Sequence, residues 1–184
     1  MLAYVFWHVP SAQVAAQEYE AQLTAFHAAL RADGPPGLGL TAMVGLDAIP
    51  WLDGAAGYED WYLVEDFAAL GALNVAAVSG SRKASHDAAA GSARTGVAGL
   101  MGHVAGPLLP EQPGWAAWLS KPEGMAYDAF HTTLWEVLGN HASAWQRQMT
   151  LGPATEYCVL APAERALPWP AQAWPVRDVV TPGG

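Results

Sequence analysis

The chain has 184 residues, enough for one sizeable core or for two small fused modules that share one, and 52% are hydrophobic against 14% charged. Nine Trp, six Tyr and four Phe supply enough buriable area to exclude a disordered chain. A formal charge of −9, with Arg82-Lys83 the densest basic pair, excludes the concentrated positive patch that nucleic acid or an anionic membrane surface requires.

Residues 2–9 alternate aromatic and aliphatic side chains with no breaker before Pro10, which predicts a buried strand with Tyr4, Phe6 and His8 on one face and Val5, Trp7 and Val9 on the other. This segment lacks a basic n-region and a small-residue cleavage site, so it reads as structure and not as a signal peptide. No apolar run approaches the roughly 20 residues of a membrane span, and the expectation is a cytoplasmic protein. Ser11 is placed to cap a helix reaching about Ala32, with an apolar stripe of Ala15, Tyr19, Leu23, Phe26 and Leu30. Gly34-Pro35-Pro36-Gly37 stops it. A weaker strand over 38–46 follows, then a loop through Pro50, Gly54 and Gly57, then a third strand over 61–64 bounded by Glu59-Asp60 and Glu65-Asp66. Asp66 can cap a second helix whose inward stripe is Phe67, Leu70, Leu73 or Asn74, and Ala77. A polar stretch over 79–96, partly helical, leads to a fourth strand over 97–105.

After the hinge 106–114 the pattern restarts with a strand over 115–121, a helix over 125–138 and strands over 141–151 and 155–160. Tyr19-Glu20-Ala21 parallels Tyr127-Asp128-Ala129, and Glu59-Asp60-Trp61-Tyr62-Leu63-Val64 parallels Thr155-Glu156-Tyr157-Cys158-Val159-Leu160. A stub over 163–167 stands where a second helix would be, and 176–180 reads as a closing strand. The expected fold is therefore α+β, with two ferredoxin-like βαββ(αβ) repeats, 1–108 and a degenerate 113–180, whose antiparallel sheets pack face to face in one chain. Each sheet covers one face with its own helices and leaves the other apolar face to be buried.

The element order and the segment Trp118-Leu119-Ser120-Lys121-Pro122-Glu123-Gly124-Met125-Ala126-Tyr127-Asp128-Ala129-Phe130 resemble the dimeric α+β-barrel superfamily in a fused form. The segment is similar to the passage from strand to helix in EthD-like members, where a Lys-Pro-Gly turn precedes an aromatic-bearing helix. That superfamily includes cofactor-free monooxygenases, haem-degrading enzymes, haem-bound dismutases and stress proteins without known catalysis, so the resemblance implies where a ligand sits and leaves the reaction open. It implies a cleft between a sheet and its covering helices. Its haem-degrading members place an Asn, a Trp and a His around that cleft; here the first strand offers His8 in place of the Asn, Trp61 supplies the Trp, and His86 lies further along the chain than that pattern has it.

Six histidines are available for acid–base work. His8 ends an aromatic strand and is a candidate base, against the plainer reading of a satisfied half-buried His. His86, beside Asp87, Arg82 and Ser85 in the polar stretch, is the second candidate, against that of an exposed loop residue. Tyr4, Trp61, Asn74 and Arg82 are candidate ligand contacts. His103 reads as core-lining, His27 and His131 read as helix-surface or satisfied core residues against the alternative of an axial ligand, and His131 and His141 lack the His-x-x-x-His spacing of a metal site. Cys158, the single cysteine, excludes an intrachain disulfide and a Cys-based zinc site, and within its apolar run it reads as a small buried hydrophobe. No Gly-rich phosphate loop and no nucleophile elbow is present. Three functions follow. The first is a small-molecule binder, with a monooxygenase- or isomerase-like step on an apolar or aromatic ligand and no cofactor. The second is a non-catalytic structural or stress-type protein, and the third a haem protein. The fused architecture is compatible with a monomer or a homodimer.

Overall fold

The structure, a computed structural model, describes residues 1–149, 152 and 154–180, with side chains through 177. The first half runs β1 (Leu2–Pro10), α1 (Ala16–Ala32), β2 (Leu38–Ile49), β3 (Ala55–Val64), α2 (Phe67–Ala77), α3 (Lys83–Ser92) and β4 (Ala93–Ala105). The second runs β5 (Trp115–Leu119), α4 (Tyr127–Leu138), β6 (Ser143–Arg147), β7 (Tyr157–Ala161) and β8 (Gln172–Val180). The strands close into an antiparallel barrel in the order β1-β3-β2-β8-β5-β7-β6-β4. Each half shows the same local order, β4-β1-β3-β2 and β8-β5-β7-β6, with its first strand central. The two sheets face one another as expected, and β2–β8 and β4–β6 pairing also joins their edges, so no described strand is left with a free edge.

Alternation along the strands builds the barrel interior. Val5, Trp7, Trp61 and Leu63 from the first half meet Ala116, Trp118, Trp145, Cys158 and Leu160 from the second, all at most 1% exposed. Such a core is available to neither sheet alone, because each inner face is apolar only toward the other. The outer faces are covered separately. Phe26, Leu30, Tyr62, Val64 and Leu73 pack under α1 and α2, whereas Phe130, Leu134, Leu138, Tyr157 and Val159 pack under α4.

Several boundaries differ from expectation. The third strand begins at Ala55, so Glu59 and Asp60 lie inside it, at 0% and 2% exposure. Two adjacent carboxylates read as a solvated strand end, but pairing with β1 and β2 carries the strand through them. Ser11 does not cap α1; its hydroxyl accepts from the Gln13 amide at 3.3 Å, and the helix starts at Ala16. Asp66 does cap α2, accepting from Ala69 N at 2.9 Å, worth about 1 kcal/mol. Phe67 is 55% exposed, because α2 buries Ala69, Leu73 and Ala76 instead. The strand expected over 141–151 spans Ser143–Arg147, and its far end at 150 and 151 lies outside the described residues. Among the described residues no helix is long and apolar enough to cross a membrane.

Candidate functional site

β1 and β3 run antiparallel with Trp7 opposite Glu59 and His8 opposite Tyr58. Period-two alternation sends Glu59 and Trp61 into the barrel and turns Tyr58, Asp60 and Tyr62 outward, beside Tyr4, Phe6 and His8 of β1. α1, α2 and α3 cover this outer patch but leave a cavity of about 350 Å³. Its walls are Phe6, Leu23, Phe26, Leu70, Leu73 and small alanines; its polar groups are Tyr4, His8, Tyr19, Asp60 and Tyr62, with Asn74 on α2 and His86 on α3.

A line of polar contacts crosses the floor. The Tyr19 hydroxyl lies 2.7 Å from His8 Nδ1, His8 Nε2 lies 3.2 Å from Asp60 Oδ2, and the Tyr62 hydroxyl donates to the same oxygen at 3.0 Å. A carboxylate at Nε2 selects the tautomer with its proton there and leaves Nδ1 free to accept. Burial works to raise the Asp60 carboxyl, but the charges of His8 and His27 outweigh it and hold the group well below the usual carboxylate range. Tyr19 and Tyr62 move the other way. Burial and then the Asp60 charge push both phenols up, so they remain hydrogen-bond donors at neutral pH. The floor is a fixed anion flanked by donors, with one imidazole between it and the cavity.

Four of the sequence candidates, Tyr4, His8, Asn74 and His86, line this cavity together. Asn74 is exposed at its mouth and needs no buried partner. His86 meets the Phe26 ring edge-on at 5.4 Å, and its Nδ1 lies 3.2 Å from Asp87 Oδ1 despite their adjacency. Trp61 and Arg82 do not line the cavity. Trp61 has the parity of the barrel interior, where it packs against Trp145, and Arg82 is drawn to Asp33 at 2.6 Å and the Ala76 carbonyl at 2.8 Å. Asp60, Tyr19 and Tyr62 join the site from positions that the sequence marks only as a strand boundary or a core stripe. The signal for Asp60 was present, since an unbroken alternation over 57–64 places it on the face of His8, but a carboxylate pair at an assumed strand end concealed it.

On the inner side of the same strands Glu59 is fully buried and accepts the indole N–H groups of Trp7 and Trp61, with Cys158 Sγ 4.0 Å from Oε1. Burial pushes its carboxyl up to about 7, against the two indole donors that favour the charged form. Burial and the Glu59 charge push the Cys158 thiol well up, so it offers no nucleophile.

The second half lacks this arrangement. In place of α2 and α3 the segment 162–171 crosses the sheet, with Leu167 and Trp169 packed in and the Trp169 ring 4.6 Å from Phe130. His131 Nε2 lies 2.9 Å from the Tyr157 hydroxyl, and an open hollow beside Ser120, Thr155 and Gln172 remains at the strand ends. Among the described residues no group of three or more His, Cys, Asp or Glu is placed to hold a metal ion.

No family model and no curated protein matches the chain. Solved structures do. A candidate monooxygenase from Fusobacterium nucleatum aligns with a TM-score of 0.61 at 8% identity, over 100% of this chain and 94% of that one. A candidate chlorite dismutase aligns at 0.54 and 10% identity, over 96% and 95%, and a candidate monooxygenase from Lactobacillus acidophilus at 0.54 and 8%, over 98% and 95%. At these identities the likeness is one of fold.

Proposed function

We propose that this chain is a small-molecule enzyme that takes a proton from a neutral, flat, largely apolar ligand, with His8 as the base and Asp60 as the group that orients it. The observation that carries the reading is the Tyr19–His8–Asp60 line at the floor of an apolar cavity. The volume, about 350 Å³, is at the small end for ligand pockets and suits a ligand of one to three rings. The lining holds no Lys or Arg, so a neutral ligand enters at lower cost than an anionic one. On binding, a ligand O–H or acidic C–H displaces the Tyr19 hydroxyl from His8 Nδ1 and donates there. Asp60, still held by the Tyr62 hydroxyl, stabilises the imidazolium that forms, and the displaced Tyr19 phenol hydrogen-bonds the ligand anion. Such an anion can be reprotonated at another atom, an isomerisation, or can react with dioxygen, a monooxygenase-like step. The names of two structural neighbours support the second course.

A haem would find no Lys or Arg in this lining for its carboxylates, and both His8 nitrogens are already engaged, by Tyr19 and Asp60, so a ligand without haem is the reading this lining supports better. The proposal extends to a cytoplasmic protein, monomer or homodimer, whose segments 1–108 and 113–180 are fused repeats.

The test is binding of 4-nitrophenol, a chromogenic acidic phenol, and dioxygen uptake with a panel of phenols and enols, in wild type, H8A, H86A and D60N. Wild type should bind the probe and raise its phenolate fraction, H8A should lose that rise, and D60N should weaken it. Equal phenolate fractions in wild type and H8A would refute the assignment of His8.

A further inference from the structure

Behind Asp60, away from the cavity, lies a second imidazole. His27 is on the inward face of α1, is 0% exposed and does not line the cavity. Its Nε2 is 3.4 Å from Asp60 Oδ1, the oxygen that His8 and Tyr62 leave unused. Its ring lies flat on Tyr62, with centroids 5.2 Å apart and planes within 1°. Among the described residues Nδ1 has no hydrogen-bond partner, and the pairing of Nε2 with Asp60 is the polar contact this ring makes. A buried imidazole left without a partner costs stability, and a leucine there would fill the space between α1 and β3 more cheaply. Helix periodicity assigns this position to the core stripe beside Phe26, which conceals the polar role.

We propose that His27 is a positioning residue for the His8–Asp60 pair, holding the far oxygen of Asp60 and setting how strongly that carboxylate pulls on His8. The inference rests on the functional reading above for its purpose, but its geometry stands without a ligand. One carboxylate between two imidazoles shares its negative charge between them, so each partner weakens the other's hold. His27 also fixes the plane of the carboxylate by occupying Oδ1 while stacking on Tyr62, which occupies Oδ2. Removing His27 leaves the carboxylate to His8 and Tyr62 alone.

The experiment reads the His8 Nε2 proton by ¹⁵N-resolved NMR of the full ligand-free chain, in wild type, H27Q, H27F and D60N at one fixed pH. In H27F, Asp60 loses the partner of Oδ1 and is a stronger acceptor, so the His8 Nε2 proton is expected to move downfield, and H27Q, whose amide N–H can still donate to Oδ1, is expected to move it less. A filler role would change melting temperature and leave that proton where it is, and an unmoved or upfield signal in folded H27F overturns the proposal. D60N decides the question without altering His27: the ring protons of His8 and His27 must both move, and a His27 signal that stays in place overturns it. Failure of the 4-nitrophenol experiment with these NMR shifts intact would count against the functional reading alone.

Discussion

Replacing Glu59 by Gln tests the electrostatics of the barrel interior, because the glutamine keeps the shape and removes the titration. Glu59 is fully buried, and its carboxyl rises from an ordinary 4.5 to about 7, chiefly by desolvation. A folded-state value above the unfolded one means that the native chain holds this proton more tightly. Its contribution is therefore fully present below pH 4.5 and is lost as pH rises toward 7. Over that window the wild type should lose about 3 kcal/mol relative to E59Q. At pH 4.5 E59Q should be the less stable of the two, since its amide N–H₂ faces one of the two indole donors and leaves it unsatisfied. Urea denaturation at half-unit steps from pH 4.5 to 8 gives both curves, and their difference cancels every other titrating group. Parallel curves would refute the reasoning and would mean that the indole donors, not burial, set the charge of Glu59.

Asp60 has the opposite sign. Its carboxyl is held below the ordinary 3.8, so its contribution is present above pH 3.8 and is lost as pH falls; D60N should flatten the acid limb of the stability curve and cost roughly 1–3 kcal/mol at neutral pH by leaving two buried imidazoles without their carboxylate acceptor. At Gly57 a methyl group would lie 2.4 Å from the His8 carbonyl oxygen, so G57A should cost roughly 1–3 kcal/mol in denaturation and shift the His8 ring signals. W169A removes the half-buried ring that plugs the second half against Phe130; a loss of about 1–3 kcal/mol is expected, together with new binding of small apolar dyes there. Cys158 should resist a thiol reagent in the native chain and react only on unfolding, and rapid native labelling would contradict its burial.

The tertiary structure explains why some site residues were legible and others were not. The parity of β1 was readable because Tyr4, Phe6 and His8 alternate with Val5, Trp7 and Val9 in an unbroken run, and His8 was singled out on that basis. For Trp61 the complementary reason holds: Glu59-Asp60 predicts a strand that starts at 61, whereas it starts at Ala55, and without the preceding residues no register fixes which face Trp61 takes. His27 and Tyr19 lie in an amphipathic stripe whose period says only that they are buried. Whether a buried polar side chain meets a partner depends on the strand that passes beneath it, 33 residues away in the contact between His27 and Asp60.

Local patterning thus determined the order of elements, the α+β class and the apolar faces that require a second sheet, because periodicity and turn residues act over a few positions. Closure of the barrel, the inward turn of Glu59 and outward turn of Asp60, and the cavity under the helices of the first half, with Trp169 packed on Phe130 in the second, were decided only by the folded chain. Each depends on pairing between segments tens of residues apart, where a single step in register exchanges the two faces of a strand and would have put the carboxylate of Asp60 among the tryptophans.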